Sequence, residues 1–260
     1  MTLSSEHFDQ LVEAKRLLES PGIATKAASL LGTPIEKGFA LLPDRWSQKI
    51  GESTQSALMV AMKGALLTMG RGRGEAYPSW HKFAAAVSGA AGGAFGLPAL
   101  VVELPVSTTI MCRSIADIAR ANGESLESVA TRLACIEVFA LGGTSTRDDA
   151  AETGYFTVRA ALAKAVSEAA QYLASSKVAQ DGAPALVRLI ALIAGRFQIQ
   201  VSEKVAAQAV PVIGAASGAL INLLFIDHFQ DMSRGHFTIR RLERHYGGDE
   251  VRAAYERVEL

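Results

Sequence analysis

The sequence predicts an all-α fold, a single compact multi-helix domain with two buried glycine- and alanine-rich helices. Two observations carry this prediction. Apolar residues recur at the 3.6-residue period of a helix along the chain, and no segment keeps the alternation of a half-buried strand. Residues 84–102 and 205–226 are rich in small residues, which allow helices to approach one another closely.

Composition excludes several classes of protein. A chain of 260 residues can bury a large core, and 49% hydrophobic against 20% charged residues is not the composition of a disordered protein. The 26 basic and 26 acidic residues cancel and form no basic patch, so we expect no nucleic-acid partner. Aromatic residues make up only 7%, while the mean hydropathy is +0.20. We therefore expect tightly packed helices rather than a core filled by rings.

The first residues and the cysteines indicate the compartment. The chain begins MTLSSEHFDQ, without the basic stretch and apolar run of a secretory signal. Cys112 and Cys135 lie in apolar helical patterns and lack the spacing of metal ligands. We interpret them as buried thiols in a reducing cytoplasm.

The N-terminal helices are bounded by proline and glycine. Breaks at Pro21-Gly22 and at Gly32-Thr33-Pro34, and Pro43 in a first helical turn, predict helices at about 5–19, 23–31 and 43–69. The stretch GRGRGEAYPS that follows is the most loop-like of the chain. It predicts an N-terminal helical segment, 1–76, packed on a helical core, 77–260, within one structural domain.

The same signals divide the core. Asn122-Gly123 and Gly247-Gly248 stop helices, and GGTSTRDDAAET at 142–153 is an exposed loop. Helices are predicted at about 84–121 with an interruption near 96–98, and at about 126–141, 154–174, 183–196, 198–208 and 211–246, before a charged terminal helix.

The two small-residue helices each carry glycines four residues apart. Gly89 and Gly93 lie on one helix face, and Gly214 and Gly218 lie on another. Because small faces suit close packing, we expect these two faces to meet.

The same two segments are long enough to span a membrane. Ser88 and Pro98 in the first, Gln208 and Asn222 in the second, and charges at the ends favour burial in a protein core instead. Reversible membrane association through a lipid-binding groove remains an alternative, and so does a full span.

Polar residues inside apolar helices are the candidates for a site, because burying them unpaired is costly. These candidates are Glu103, Arg113, Glu203, Lys204, Asp227, His228, Asp231 and His236. We expect most to form a network that fixes helix packing, with one of the two aspartates paired to a basic residue of another helix at a cost of about 3 kcal/mol if broken. Arg113, Lys204 and Arg234 are the expected basic partners.

Two alternatives stay open for this cluster. The side chains could line a ligand cavity, or Asp227, His228 and Asp231 could bind a metal, although no HExxH motif occurs. No cofactor is expected. Tyr155 and Arg159 share a helix face, and we expect them to meet Asp148 or Asp149.

Three stretches of the sequence resemble a known family. GGAFGLPALVVELPVSTTIMCRSIADIA, the pair EVFALGG and GYFTVRAAL, and VSEKVAAQAVPVIGAASGALINLLFIDHFQDMSRGHFTIRRLERHYG are similar to the bacterial EcsC family over roughly 40–257. The family's namesake is encoded beside an ABC transporter. The resemblance implies a membrane-proximal role and supplies no catalytic residues.

Two functions from different classes follow. The first is a non-enzymatic helical protein that binds a hydrophobic ligand or lipid, or docks on a membrane protein such as an ABC transporter. The second is a hydrolase or metal-dependent enzyme that uses the Glu/Asp/His cluster. We expect a cytoplasmic protein, with a peripheral position at the inner face of the membrane as a further option. Whether it is an enzyme stays open.

Overall fold

The computed structural model describes residues 3–20, 22–31, 36–40, 46–68, 100–142, 154–175, 183–209 and 214–260. The described residues are 89% helical and contain no strand, which confirms the all-α class. The described helices are α1 (Ser5–Leu18), α2 (Ile23–Leu31), α3 (Glu36–Ala40), α4 (Trp46–Thr68), α5 (Leu100–Ala121), α6 (Val129–Glu137), α7 (Tyr155–Ser175), α8 (Pro184–Ala209), α9 (Gly214–Tyr246) and α10 (Gly248–Arg257).

Two long helices organise the packing. Helix α9 contacts α1, α2, α5, α8 and α10, and α8 contacts α2, α3, α4 and α7. A 3-10 turn at Val138–Ala140 extends α6 and packs against both long helices. Residues from distant parts of the sequence therefore meet along α8 and α9.

Helix α1 shows how a local signal and a buried face place one element. The Ser4 side chain accepts a hydrogen bond from the backbone N–H of His7 at 3.3 Å and so caps the helix. The face that packs on α9 buries Leu11, Ala14 and Leu18. A Cβ on Gly235 of α9 would lie 2.6 Å from Cγ of Leu18, so these two helices approach closely.

An even closer approach joins α3 and α8. A Cβ added to Gly38 would overlap the backbone carbonyl of Ala206. The tight packing expected from the small-residue content therefore does occur, between helices other than the predicted pair.

Phenylalanine rings also fill part of the core, contrary to the expectation from composition. Phe139, Phe197, Phe225 and Phe229 form one cluster, in which the Phe139 and Phe197 ring centroids lie 5.0 Å apart. All four are essentially inaccessible to solvent. The low aromatic content of the whole chain did not reveal this cluster, because composition does not show that α8, α9 and the 3-10 turn bring four of the rings together.

Helix ends follow the sequence signals. Helix α5 stops at Ala121, and Gly123 has a φ of 78°, which favours glycine. The N–H of Glu124 donates to the carbonyl of Ala119 at 3.1 Å and closes the turn. Gly247, with a φ of 91°, separates α9 from α10 in the same way.

Three boundaries differ from the prediction. The expected helices at 183–196 and 198–208 are one continuous helix, α8, because glycine in a helix interior costs only about 1 kcal/mol and does not end it. Helix α6 starts at Val129 rather than near 126, and α3 was not predicted.

Some predictions lie outside the described residues. Gly89 and Gly93 are not described, and neither are the side chains of 214–218, so the expected glycine contact stays a prediction. The division into 1–76 and 77–260 also stays a prediction.

Candidate functional site

A buried ion pair joins α5 to α8. Nζ of Lys204 lies 2.9 Å and 2.8 Å from the two carboxylate oxygens of Glu103, and the two side chains are 0% and 6% exposed. The Phe225 ring of α9 lies under the ammonium, with Nζ 4.8 Å from its centroid. Burying either charge alone would be costly, so each residue depends on the other.

Other polar side chains are buried on these two helices and on α9. They are Ser107 and Thr108 of α5, Gln200 and Glu203 of α8, and Asn222 of α9. Gln200 donates to the Leu141 carbonyl at 2.6 Å, and Ser107 donates to the Leu104 carbonyl at 3.2 Å. Within the described part of the chain, the Thr108 hydroxyl has no hydrogen-bond partner.

A second polar group links α7 to the C-terminal half of α9. The Tyr155 hydroxyl lies 3.0 Å from Nδ1 of His236 and accepts a hydrogen bond from Arg159 at 3.3 Å. Arg159 also binds both carboxylate oxygens of Glu243, at 2.7 Å and 3.0 Å. On α9, His236 and Glu243 are seven residues apart and therefore share a face.

Burial sets the protonation of this group. Desolvation raises the pKa of Tyr155 and lowers the pKa of His236 well below its usual range, so the phenol is protonated and the imidazole is neutral. The phenol proton then needs an acceptor, which Nδ1 of His236 provides. His236 consequently carries its own proton on Nε2, which is buried and makes no hydrogen bond to any described residue.

Glu137, at the end of α6, is buried next to this group. Burial raises the pKa of its carboxyl, and the positive charges of Arg159 and Arg240 oppose the shift without cancelling it. A carboxyl in this position favours its neutral form more than a carboxyl in water does.

Glu124 is the opposite case. Burial alone would raise its pKa, but hydrogen bonds from Arg240 and Thr131 and the charge of Arg244 outweigh burial and lower it. Arg240 Nε donates to this carboxylate at 2.9 Å and Thr131 at 2.9 Å, and Arg244 donates to it as well. Glu124 therefore ties the loop after α5 to α6 and α9.

His228 is buried without a hydrogen bond of normal geometry to the described residues. Desolvation and, to a smaller extent, the charge of Lys26 lower the pKa of its imidazole to about 3, while the backbone of Gly142 opposes the shift. Gly142 packs directly on this ring: a Cβ there would lie 2.6 Å from both Nε2 of His228 and Sδ of Met232.

The comparisons with known proteins give one match. The sequence model of the EcsC protein family matches residues 5–242. The chain belongs to the EcsC family. No curated protein and no solved structure matches it. The match begins well before residue 40, where the similarity read from the sequence began, so α1 to α3 are part of the EcsC region.

Both polar groups lie almost wholly inside the EcsC region. The Glu103–Lys204 pair and the Tyr155–His236 pair fall within residues 5–242, and Glu243 follows the match directly. The two groups are therefore features of the part of the chain that defines the family match.

The predicted site residues are only partly brought together. Glu103, Glu203 and Lys204 are buried near one another, and His236 is buried in the second group. Contrary to the expectation, Arg113 is exposed on α5 and does not join the buried residues.

The predicted Asp227–His228–Asp231 cluster is not one buried pocket. His228 is buried, while both aspartates are partly exposed. Asp231 pairs with Lys26 of α2 at 3.8 Å and with Arg234 at 2.9 Å. The partner on another helix is thus Lys26, which was not among the expected residues. Because this pair is partly exposed, breaking it should cost about 1 kcal/mol or less rather than 3 kcal/mol.

Metal binding gains no support from the described residues, among which no group of three His, Cys, Asp or Glu side chains could hold an ion. Cys112 and Cys135 are buried free thiols, and burial raises the pKa of Cys112 to about 12. A thiol with that pKa is a poor nucleophile at neutral pH.

Sequence reasoning missed Glu137. Arg240 and Glu243 are recognisable, with His236, as polar residues within the apolar pattern of α9, but their partners were not predicted. Tyr155 and Arg159 were correctly placed on one helix face, but Arg159 pairs with Glu243, and Asp148 and Asp149 lie outside the described residues. The available signal was the spacing of His236, Arg240 and Glu243 on α9, which places all three toward one side of the helix.

Proposed function

We propose that this EcsC-family protein is a non-enzymatic helical protein that binds a hydrophobic ligand or lipid, or docks on a membrane protein such as an ABC transporter. It would work in the cytoplasm, peripherally at the inner face of the membrane. The observation that carries the proposal is the long apolar helix α8, which the fold covers incompletely.

Helix α8 has two different sides. Among the described helices, α8 is the one whose length and apolar composition would allow it to cross a membrane. Its most apolar window has a mean hydropathy of 1.4. Only 44% of that apolar window is buried in the protein. Its inner side carries Gln200, Glu203 and Lys204, which are held in the core. A span would place those groups in hydrocarbon, so the outer side is the part suited to an apolar partner.

The mutual pairing of the buried polar groups also favours a binding protein over an enzyme. Glu103 with Lys204, Arg159 with Glu243, and Glu124 with Arg240 are satisfied by one another. Catalytic groups instead converge on a space where substrate sits. Mutual pairing of this kind suits a network that fixes one packing arrangement.

Native mass spectrometry with elemental analysis of the purified full-length protein tests the proposal. We expect a retained hydrophobic molecule, or capture of a membrane protein by the tagged chain, and no stoichiometric metal. A stoichiometric metal without any hydrophobic ligand or membrane partner would contradict it.

An enzyme remains the second candidate, and one observation favours it. Glu137 is a buried carboxyl with a raised pKa beside Tyr155 and His236, and such groups often act as general acids. The Glu137→Gln variant separates the two functions. An enzyme would lose turnover of a model ester while its lipid retention stayed intact, whereas a binding protein would show no turnover to lose.

A further inference from the structure

The outer side of α8 presents a continuous apolar stripe to solvent. Leu192 and Ile199 are 45% and 48% exposed, Gly195 is exposed between them, and the exposed Ala191 directly precedes Leu192. Residues 192, 195 and 199 follow the three- and four-residue spacing of one helix face and cover about 10 Å along the axis. A Cβ at Gly195 would meet nothing within 4 Å, so the middle of the stripe is open.

The charges around the stripe are predominantly positive. The ionisable residues of α8 outside the core are Arg188 and Arg196, while Glu203 and Lys204 are buried. Arg188 lies 3.2 Å from Glu168 of α7, and that glutamate also faces Lys164 at 4.0 Å. Arg196 lies about two turns further along α8, so these four described residues, three cations and one anion, carry a net charge of +2.

We infer that this stripe, defined by Ala191, Leu192, Gly195 and Ile199, docks on the surface of an anionic lipid bilayer. The inference rests on the proposed function and names its partner. Helices that lie in a bilayer interface combine an apolar face with basic residues beside it, and arginine binds lipid phosphate through two parallel hydrogen bonds. The side chains of the stripe offer no hydrogen bond to a specific protein partner. Its apolar groups match the hydrocarbon of a bilayer, and the flanking guanidiniums match the lipid phosphates.

Vesicle flotation of the purified full-length protein tests the inference. Vesicles of phosphatidylcholine alone are compared with vesicles that also contain phosphatidylglycerol. We expect binding to the anionic vesicles, weaker binding to the neutral ones, and weakening by added salt, which screens the arginines. The double variant Leu192→Ser/Ile199→Ser should bind at least about tenfold more weakly.

A matched control comes from α1. Phe8 is 40% exposed, and α1 packs on α9 and α10 rather than on α8. Phe8→Ser removes a comparable exposed apolar side chain and should leave vesicle binding unchanged. Circular dichroism of each variant checks that the helices remain folded, and Arg196→Gln should lower binding to anionic vesicles selectively.

The outcomes separate this inference from the proposed function. Equal vesicle binding by the wild type and the double variant would overturn it, because another surface would then bind lipid. A retained ligand or a captured transporter without vesicle binding would also overturn it while leaving the proposed function in place. Failure of vesicle binding, ligand retention and membrane-protein capture together would overturn both.

Discussion

At the scale of single residues, the described interior holds charge in ion pairs that join different elements of the fold. The Glu103–Lys204 pair is the most deeply buried case. Such a pair need not stabilise the fold more than apolar residues would, but losing one partner leaves an uncompensated charge in the core.

That asymmetry gives a double-variant prediction. Glu103→Leu should lower the free energy of unfolding by about 3–5 kcal/mol, because Lys204 remains buried and unpaired. Glu103→Leu combined with Lys204→Met should recover most of the loss, since no charge remains. Urea unfolding curves measure both, and Lys164→Met on the exposed side of α7 is the control. A double variant less stable than the single one would mean that the pair is held by something other than mutual compensation.

Buried neutral histidines make stability depend on pH. His228 has a pKa of about 3 and His236 a pKa well below normal, whereas an unfolded histidine titrates near 6.5. Above that pH both states are neutral. Below it the unfolded chain binds more protons, so stability falls as pH falls from about 6.5, by about 2 kcal/mol per histidine at pH 5.

Urea midpoints measured between about pH 5 and pH 7.5 test this window, which lies above the titration of most carboxylates. The His228→Asn variant should lose roughly half of the pH dependence. The exposed His245 is the matched control, and His245→Asn should keep the wild-type slope. A slope that survived the His228 and His236 substitutions together would assign the effect to other groups.

The sequence located several of these residues but could not pair them. Glu103, Lys204 and His236 were identifiable because each interrupts an apolar helical pattern. Their partners depend on which helices meet, and residues 101 positions apart carry no local signal of contact. Of the Asp227–His228–Asp231 cluster, only His228 is fully buried, because helix periodicity places the two aspartates toward the partly exposed side of α9.

At the scale of helices, the approach distance is set by glycine at particular crossings. Gly38 lies against the backbone of Ala206, while Gly195 on the same partner helix α8 faces open space. Identical substitutions at these two sites therefore have opposite expected effects.

Gly38→Ala should destabilise the protein by about 1–3 kcal/mol, because the new methyl group overlaps backbone that cannot rotate away. Gly195→Ala should stabilise it by about 0.5–1 kcal/mol, since alanine loses less backbone freedom in a helix. Thermal unfolding of the two variants measures the contrast. Equal effects at both positions would indicate that α3 does not pack on α8 as described.

Helix positions were predicted better than helix partners. Capping and stop signals placed α1, α2, α7 and the end of α5 within a residue or two. Helix α8 was predicted as two helices, whereas packing of Phe197 in the core maintains one continuous helix through Gly195. Tertiary contacts override a weak local preference of that size.

At the scale of the whole molecule, the family and the all-α class are those predicted from the sequence. The proposed membrane role is a separate matter and requires that α8 stay packed on the protein's own core. Lys204 on its inner side is bound to Glu103, and Gln200 is bound to the Leu141 carbonyl. Inserting α8 across a bilayer would break both contacts and move a charge into hydrocarbon.

We therefore expect a peripheral protein. In cell fractionation, alkaline carbonate or high salt should release most of it from membranes without detergent, since its lipid contacts lie at the surface. An integral membrane protein with a known span is the control and should stay in the pellet. Release only by detergent would point to a spanning segment instead.

The long helix α9 also has a consequence for synthesis. Helix α1 packs on α9 across more than 190 residues of sequence, so its buried face of Leu11, Ala14 and Leu18 has no native cover when it first leaves the ribosome. The 228 residues between the ends of these two helices take roughly 10–45 s to translate at about 5–20 residues per second. During that interval α1 is an exposed apolar ligand for chaperones, and truncated chains that end before α9 should aggregate.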